Sequence, residues 1–283
     1  MKVSLIGITT WLVLLVWLVS NAQPEQKVVF LDVGQGDATL LQDGSYQILV
    51  DGGPGMKVLE ELGEQMAWMD KRLEVIILTH PQEDHMEGLV HILDRYEVGL
   101  VIIPRVATDT LLQKEWLNRI QDKGIDWRFA WAGQRITAGD MSVQILAPFE
   151  DGAMIRNVNE ASVIVRLVYG SEGKEQEELS FLLTGDTERK GENVLLVRTD
   201  PVLLDTDILK AGHHGSKTST SAALVSAVTP RSAVISVGAN NKFGHPAQEV
   251  LDRLKNMPVW RTDEDGAVKF SYVKDGWVVK SER

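Results

Sequence analysis

Three apolar runs of this chain each end in acidic residues or histidines, and this pattern restricts the fold more than any other. The run Leu73–Leu78 reads as a fully buried strand and leads directly into Thr79–His85, which is THPQEDH. A second run ends in Thr184-Gly185-Asp186, and a third leads into Gly212-His213-His214. Active sites of α/β proteins gather at the carboxyl ends of their strands. We therefore expect an α/β fold with one site at these strand ends.

The rest of the pattern predicts how strands and helices are arranged. β-rich runs separated by glycine-containing turns come first, at Lys27–Val33, Ala38–Gln42 and Tyr46–Asp51. Helices are predicted at Met56–Trp68 and around His85–Tyr96 and Asp109–Lys123. Short strands follow from Asp126 to Leu146, then a hairpin of Ala161–Tyr169 with Leu179–Thr184, and a closing meander at Val268–Val279. Periodicity alone supports an α/β fold. Meanders that open each half, followed by βα units, indicate an αββα sandwich, with two mixed sheets packed face to face and helices outside.

The first 22 residues differ from the rest. Seventeen residues, Val3–Val19, carry no charge and follow Lys2, which predicts one hydrophobic helix at the N-terminus. Ser20-Asn21-Ala22 is a small-x-small pattern that signal peptidase can cut, so a cleaved signal peptide and an uncleaved membrane anchor both remain open. A buried core helix is the third reading. Because Lys2 should stay in the cytoplasm, we expect residues 23–283 to form one extracytoplasmic domain, anchored in the membrane or secreted.

Composition limits the chemistry of the site. The chain has no cysteine, which excludes disulfides, thiolate metal sites and cysteine nucleophiles, so a metal would be held by His, Asp, Glu or amide oxygen. The formal net charge of −11 repels phosphate backbones, so chemistry on a nucleic acid needs a metal or a local basic patch. The candidates for such a patch, which read equally well as solvated surface residues, are Lys210, Lys217, Arg231 and Lys242.

Each acidic or histidine motif has a functional and an ordinary interpretation. Pro81 stops the strand, so His80, Asp84 and His85 can turn toward one point and hold a divalent metal. The alternative is Asp84 as a helix N-cap beside surface histidines. Asp186 alone also matches a common Gly-Asp turn. Of the neighbours His213 and His214, one can bind a metal while the other contacts substrate, and a solvated turn is the alternative. His245, before Pro246, reads equally well as a loop histidine.

Together these motifs resemble the metallo-β-lactamase superfamily, whose signature is HxHxDH followed by a later Asp and a later His. More specifically, they are similar to the extracytoplasmic hydrolase domain of the ComEC family of DNA-uptake proteins. The similarity is carried by LDVGQGDA at 31–38, VDGG at 50–53, the LLTGD that ends at Asp186, HHGS at 213–216 and GHP at 244–246. It spans Val28 to about Val273 and leaves out the multi-spanning channel portion of ComEC. We therefore expect the hydrolase domain alone, on its own signal or anchor.

The resemblance implies roles for individual residues. One metal would be held by Asp84, His85 and Asp186 with one of His213 and His214. A second metal would be held by His80 and Asp186. Asp51 matches the superfamily's early Asp, which orders the metal-binding loop, and Asp37 and Gln35 would lie near the site mouth.

Two departures from the family pattern concern the second metal. Gln82 stands where the signature has His and relatives often have Asp, and an amide oxygen binds a divalent ion more weakly than either. No histidine lies between His91 and His213, so the family's separate histidine has no counterpart. That stretch holds Asn157, Asn159 and Ser162, which resemble the Asn-x-x-Ser pattern of the ComEC group. We expect one tight metal and one weak or substrate-completed metal, with Mn²⁺ as suitable as Zn²⁺ for so oxygen-rich a ligand set.

The function expected from this resemblance is a phosphodiesterase or nuclease, with single-stranded DNA as the implied substrate. A divalent metal lowers the pKa of bound water from about 15.7 to about 7, so hydroxide is available at neutral pH. Asp84 would orient it, while His245 and whichever of His213 and His214 is not a ligand would contact the oxyanion or leaving group. The alternatives are a hydrolase of another ester, of phosphocholine or lactone type, and a catalytically weak metal-binding module. β-Lactamase activity is least favoured because its three-histidine site cannot be assembled, and no protein partner can be inferred.

Overall fold

The structure, a computed structural model, describes residues 25–106, 108–149, 157–170, 177–274 and 276–283. Residues 1–22, predicted to form a signal peptide or an anchor helix, lie outside these ranges. Within the described ranges, no helix combines the length and the apolar character needed to cross a membrane.

The strands of the described residues are, in chain order, β1 (Gln26–Phe30), β2 (Thr39–Asp43), β3 (Tyr46–Val50), β4 (Arg72–Ile77), β5 (Glu97–Ile103), β6 (Asp126–Phe129), β7 (Arg135–Ala138), β8 (Met141–Ala147), β9 (Ile164–Tyr169), β10 (Leu179–Leu183), β11 (Ile208–Lys210), β12 (Ser232–Ile235), β13 (Val259–Arg261), β14 (Val268–Val273) and β15 (Gly276–Ser281). The helices are α1 (Lys57–Gln65), α2 (Glu83–Arg95), α3 (Leu111–Asp122), α4 (Arg189–Arg198), α5 (Pro201–Leu204), α6 (Ala222–Val228), α7 (Gln248–Leu254) and α8 (Thr262–Asp265). Two 3-10 turns lie at Asn159–Ala161 and His213–Gly215.

The first sheet has the strand order β15-β14-β1-β2-β3-β4-β5-β6. It starts as a meander, because β1, β2 and β3 pair antiparallel. From β3 to β6 the neighbouring strands are parallel. Parallel neighbours need crossover connections, and α1, α2 and α3 supply them. The predicted switch from a meander to βα units is therefore present in this half.

The second sheet repeats this plan, with the order β13-β12-β11-β10-β9-β8-β7. Strands β7 to β10 pair antiparallel, and the predicted hairpin is the β9–β10 pair. Strands β10 to β13 are parallel, so the carboxyl ends of β10, β11 and β12 lie at one edge of the sheet.

Apolar side chains join the layers. Between the sheets, the ring of Phe181 lies 6.4 Å from Phe30 and 5.3 Å from Phe270, measured between ring centres. The outer face of the first sheet packs on α1, α2 and α3 through residues that include Leu62, Leu89 and Trp116. The outer face of the second sheet packs on α4 to α7 through residues that include Leu195, Leu224 and Val250. The αββα sandwich predicted from the sequence is confirmed.

Candidate metal centre

The predicted site residues come from both sheets and meet at one edge of the sandwich. Asp84 and His85 follow β4 of the first sheet, while Asp186 and His214 follow β10 and β11 of the second. Because β10 and β11 are parallel neighbours, the residues after them emerge side by side. The centre therefore bridges the two halves of the fold.

The loop after β4 directs its side chains inward. Helix α2 begins at Glu83, and its N-cap residue is Gln82, which makes no capping side-chain hydrogen bond. The reading of Asp84 as the N-cap is wrong: Asp84 lies inside the first turn, and its Oδ2 is 3.3 Å from Nε2 of His214. His80 is fully buried, with Nε2 at 2.8 Å from Oε1 of Gln82 and 3.8 Å from Oδ2 of Asp186.

Asp51 fixes the orientation of His85. It is buried, follows β3, and has a left-handed backbone with φ 61°. Its Oδ1 accepts a hydrogen bond of 2.7 Å from the Thr79 amide, and its Oδ2 lies 2.8 Å from Nδ1 of His85. With Nδ1 engaged in this way, Nε2 of His85 is the nitrogen that points to the centre, 3.3 Å from Oδ1 of Asp186.

Asp186 sits at the middle of the centre because the backbone before it passes very close to its neighbours. Gly185 has φ 51°, and a Cβ there would lie 3.0 Å from Thr79 Cβ and 3.1 Å from Ser162 Cβ. The Asp186 amide donates to Ser162 Oγ at 3.2 Å. Its buried Oδ2 faces Nε2 of His214 at 3.5 Å.

The two adjacent histidines separate as predicted, and the structure shows which one faces inward. Both have positive φ, 48° at His213 and 52° at His214. His214 is buried, and its Nδ1 lies 3.0 Å from the carbonyl oxygen of Ser236. His213 lies at the rim, 24% exposed, with Nδ1 at 3.2 Å from Oε1 of Glu188 and Nε2 at 3.8 Å from Asp186. The reading of this segment as a solvated turn is wrong for His214.

Four of these side chains could hold a metal ion. One ligand atom from each of Asp84, His85, Asp186 and His214 lies within 4.8 Å of the other three. Nε2 of His85, Nε2 of His214 and both carboxylate oxygens of Asp186 are buried and lack a hydrogen-bond partner among the described residues. Leaving so many buried polar atoms unpaired is costly, and a divalent cation would satisfy them. The other nitrogen of each histidine is already held, which is how metal-binding histidines are usually oriented.

The electrostatics of the centre also fit a cation. Burial lowers the pKa of His214, but the carboxylates of Asp186 and Asp37 outweigh burial and raise that pKa to about 10. Burial likewise lowers the pKa of His85, yet Asp186 and Asp51 raise it well above its ordinary value. The centre thus holds an excess of negative charge. His80 differs, because burial and the nearby His85 lower its pKa to about 4, so its imidazole is neutral and can act as a ligand.

Asp37, which the resemblance placed near the mouth of the site, instead forms a buried ion pair beside the centre. Nζ of Lys210 contacts Oδ2 of Asp37, and both side chains are 3% exposed. Burial raises the pKa of Asp37, but the Lys210 ammonium and His214 lower it well below its ordinary range. Oδ1 of Asp37 also lies 3.3 Å from Nδ1 of His214, so Asp37 links Lys210 to the centre.

Of the four residues considered for a basic patch, Lys217 is exposed and the other three have different surroundings. Lys210 is buried, Arg231 lies 3.1 Å from Asp207 between Nε and Oδ1, and Lys242 lines the cleft above the metal centre. This cleft has a volume of about 570 Å³, and its walls include Gln35, Gln82, Asp84, His213, Phe243 and His245.

His245, Asn159 and Ser162 lie outside the group of four. The ring centre of His245 is 5.7 Å from that of His213, and burial followed by the proximity of His213 lowers the pKa of His245. Ser162 supports the Asp186 backbone. Asn159 is buried in its 3-10 turn, with Oδ1 unpaired among the described residues.

Thr79 also helps to hold the site residues in place, and we did not assign this role from the sequence. Its Oγ1 donates to Oδ2 of Asp51 at 2.7 Å and lies 3.1 Å from Nδ1 of His80. The signal for it was present in the sequence, since Thr79 is a polar residue between the apolar run Val75–Leu78 and the first histidine.

Comparisons with known proteins agree with this geometry. A family model described as the metallo-beta-lactamase superfamily matches residues 31–239. The ComE operon protein 3 of Bacillus subtilis is 28% identical over 94% of this chain. The competence protein ComA of Neisseria gonorrhoeae is 27% identical over 98% of it. The chain spans only 35% and 37% of the lengths of these two relatives.

A solved structure shares the fold. The metallo-beta-lactamase fold protein YhfI of Bacillus subtilis superposes with a TM-score of 0.56, covering 86% of this chain and 99% of YhfI. The sequence identity is 12%, so the likeness concerns the fold alone.

Proposed function

This chain belongs to the metallo-β-lactamase superfamily of metallo-hydrolases, and on that basis we propose that it is a metal-dependent phosphodiesterase. The observation that carries the proposal is the group Asp84, His85, Asp186 and His214, with four buried atoms that lack hydrogen-bond partners among the described residues. Related competence proteins support a DNA context, and single-stranded DNA is the proposed natural substrate.

In this proposal the four grouped residues hold one metal tightly, and a second position is weaker. The second would use His80 and Asp186, with Gln82 as an amide ligand. Gln82 and His80 already contact each other at 2.8 Å, so they face the same place. A divalent metal, when bound, would lower the pKa of its bound water to about 7 and polarise a phosphoryl oxygen. The mixture of nitrogen and oxygen ligands suits Zn²⁺ and Mn²⁺.

The chain's own residues then place the substrate and move protons. Asp84 is the cluster member that lines the open cleft with His214, so its carboxylate can orient an attacking water. His245 has a lowered pKa, which favours the neutral imidazole, so its ring N–H can donate a hydrogen bond to a phosphoryl or leaving-group oxygen. His213, at the rim beside Glu188, is placed to contact the substrate.

The extracytoplasmic location, with residues 1–22 as signal or anchor, is part of the same proposal. Two other functions remain second to it. Hydrolysis of a phosphocholine or lactone ester would use the same metal centre. A metal-binding module with little catalysis is the other alternative, and the amide of Gln82 at the second metal position favours it, because an amide oxygen is a weak ligand.

Metal-dependent hydrolysis of bis(p-nitrophenyl) phosphate tests the proposed function. The full chain, purified in a non-ionic detergent because of Val3–Val19, is stripped of metal and then reloaded with Mn²⁺ or Zn²⁺. We expect turnover only in the reloaded protein. Equal inactivity before and after loading, in a folded protein that retains no metal, would overturn the catalytic proposal. Tight metal binding without turnover would favour a different ester.

The adjacent histidines allow a matched test of the ligand assignment. His214→Ala is expected to weaken metal binding at least about 100-fold, because it removes a buried ligand. His213→Ala, which changes the neighbouring rim residue, is expected to leave the dissociation constant within about threefold. A thermal shift measures both, since metal at about 100 times its dissociation constant stabilises the folded state by about 2.7 kcal/mol. If His213→Ala is the variant that loses the metal, the assignment is reversed.

A further inference from the structure

One wall of the cleft is a loop that the chain holds in a defined shape. This mouth loop, residues 238–246, connects β12 to α7. Asn241 closes it from inside: its Nδ2 donates to the carbonyl oxygens of Gly238 at 3.0 Å and His245 at 2.6 Å. Its Oδ1 accepts from the amides of Phe243 at 3.1 Å and His245 at 3.0 Å. Four hydrogen bonds from one amide side chain make this loop a preformed support.

The mouth loop holds an aromatic ring out over the cleft. Phe243 is 56% exposed, although burying a Phe side chain is worth about 1.5–3 kcal/mol. Its ring stacks on His245 with 5.8 Å between ring centres and 25° between ring planes. His245 in turn lies 5.7 Å from the ring of His213, which borders Asp186. A series of three rings thus runs from the surface to the metal centre.

A positive charge accompanies the exposed ring. Nζ of Lys242 lies 5.3 Å from the centre of the Phe243 ring. Glu83 and Asp84 also line the cleft, and the whole chain has a net charge of −11. Lys242 is the lysine that lines the cleft, so its ammonium can attract an anion to a region bordered by these two carboxylates.

We propose that Phe243 and Lys242 form a nucleotide subsite, in which Phe243 stacks on a nucleobase next to the scissile phosphate and Lys242 contacts a phosphate of the same unit. This inference rests on the proposed phosphodiesterase function and adds the residues that select the substrate. An exposed aromatic ring with a cation beside it matches a ligand that is both planar and anionic.

The other ester substrates fit this wall less well. A choline group would bind an aromatic face through its positive charge, but the Lys242 ammonium beside the ring would repel it. A simple lactone has neither an aromatic ring nor a negative charge, so it would use neither residue. The wall therefore favours a nucleotide over the other two ligand classes.

Two ligands that differ only in the nucleobase provide the test. Binding of thymidine 5′-monophosphate and of 2-deoxyribose 5-phosphate to the metal-loaded full chain is measured by calorimetry. Stacking of one base on an aromatic side chain is worth about 1–3 kcal/mol, so we expect the thymidine ligand to bind at least about fivefold more tightly. Phe243→Ala should remove this preference, and Phe243→Trp should retain it.

Control variants distinguish the role of Phe243 from that of Lys242, and the subsite from the proposed phosphodiesterase function. Lys242→Ala should weaken both ligands by the same factor, whereas Trp68→Ala, at another exposed aromatic residue, should change neither. An undiminished preference for thymidine 5′-monophosphate in Phe243→Ala would overturn the subsite. Hydrolysis of bis(p-nitrophenyl) phosphate without any base preference would leave the proposed function standing and refute the subsite. A base preference that depends on Phe243, in a protein without turnover, would support the subsite and refute the proposed function.

Discussion

Replacing Asp84 with alanine is expected to lower kcat/KM for bis(p-nitrophenyl) phosphate at least about 10³-fold, which corresponds to about 4 kcal/mol of transition-state stabilisation. Asp84 is the member of the metal group whose side chain is 32% exposed, while His214 and Asp186 are buried. In our proposal, its loss removes both a metal ligand and the group that orients the attacking water. Because Asp84 is partly exposed, the variant should still fold.

The control for this experiment lies on the same helix. Asp94→Ala removes a carboxylate near the other end of α2, where Asp94 pairs with Arg119 at the surface, and should leave kcat/KM within about twofold. Circular dichroism and metal content are measured for both variants. If Asp84→Ala keeps more than about a tenth of the activity while remaining metal-loaded, a different residue must orient the water.

Replacing Lys210 with methionine is expected to lower the free energy of unfolding of the metal-free protein by about 3–5 kcal/mol. The change leaves the Asp37 carboxylate buried without its ammonium partner, and removing one member of a buried ion pair costs more than the pair contributes. Part of this loss should return when metal is added, since Asp37 lies 3.3 Å from His214 and a bound cation would offset its charge. Urea unfolding with and without metal measures both effects.

Two further variants test whether the unpaired Asp37 carboxylate causes the loss of stability in Lys210→Met. The double variant Lys210→Met with Asp37→Asn removes both charges and should recover most of the lost stability. Lys280→Met, at an exposed position in β15, should stay within about 0.5 kcal/mol of the unchanged protein. A Lys210→Met variant as stable as the unchanged protein would show that Asp37 is neutral or reaches solvent.

The closeness of Asp84, His85, Asp186 and His214 could be predicted because it depends on strand order. Asp186 and His214 each follow a parallel strand of the same sheet, so any fold that makes β10 and β11 neighbours brings them together. His85 required one further element, the carboxylate of Asp51, and the early VDGG motif marked its position. These contacts follow from topology, which the resemblance to a known family indicated, whereas periodicity alone supported only an α/β fold.

Other parts of the site depend on geometry that no pattern encodes. The choice between His213 and His214 follows from two consecutive left-handed residues, and neither is a glycine. Lys210 resembles a solvated lysine at the end of a short strand, yet it is buried because strand β11 lies between two neighbours and beneath Asp37. Phe243 lies in a loop, so no helical or strand periodicity predicts whether its ring is exposed. The four hydrogen bonds of Asn241 hold this loop in the shape that exposes the ring.

In the proposed metal centre the ligands come from both sheets, which has a consequence for biogenesis. The residues after β4 are synthesised about 100 positions before those after β10, so a chain emerging from the ribosome or crossing a membrane carries only half of a chelating group. Half of the group would bind a metal weakly, and high affinity would arise only when the second half docks. In our proposal, the compartment in which folding is completed would therefore determine which metal is bound.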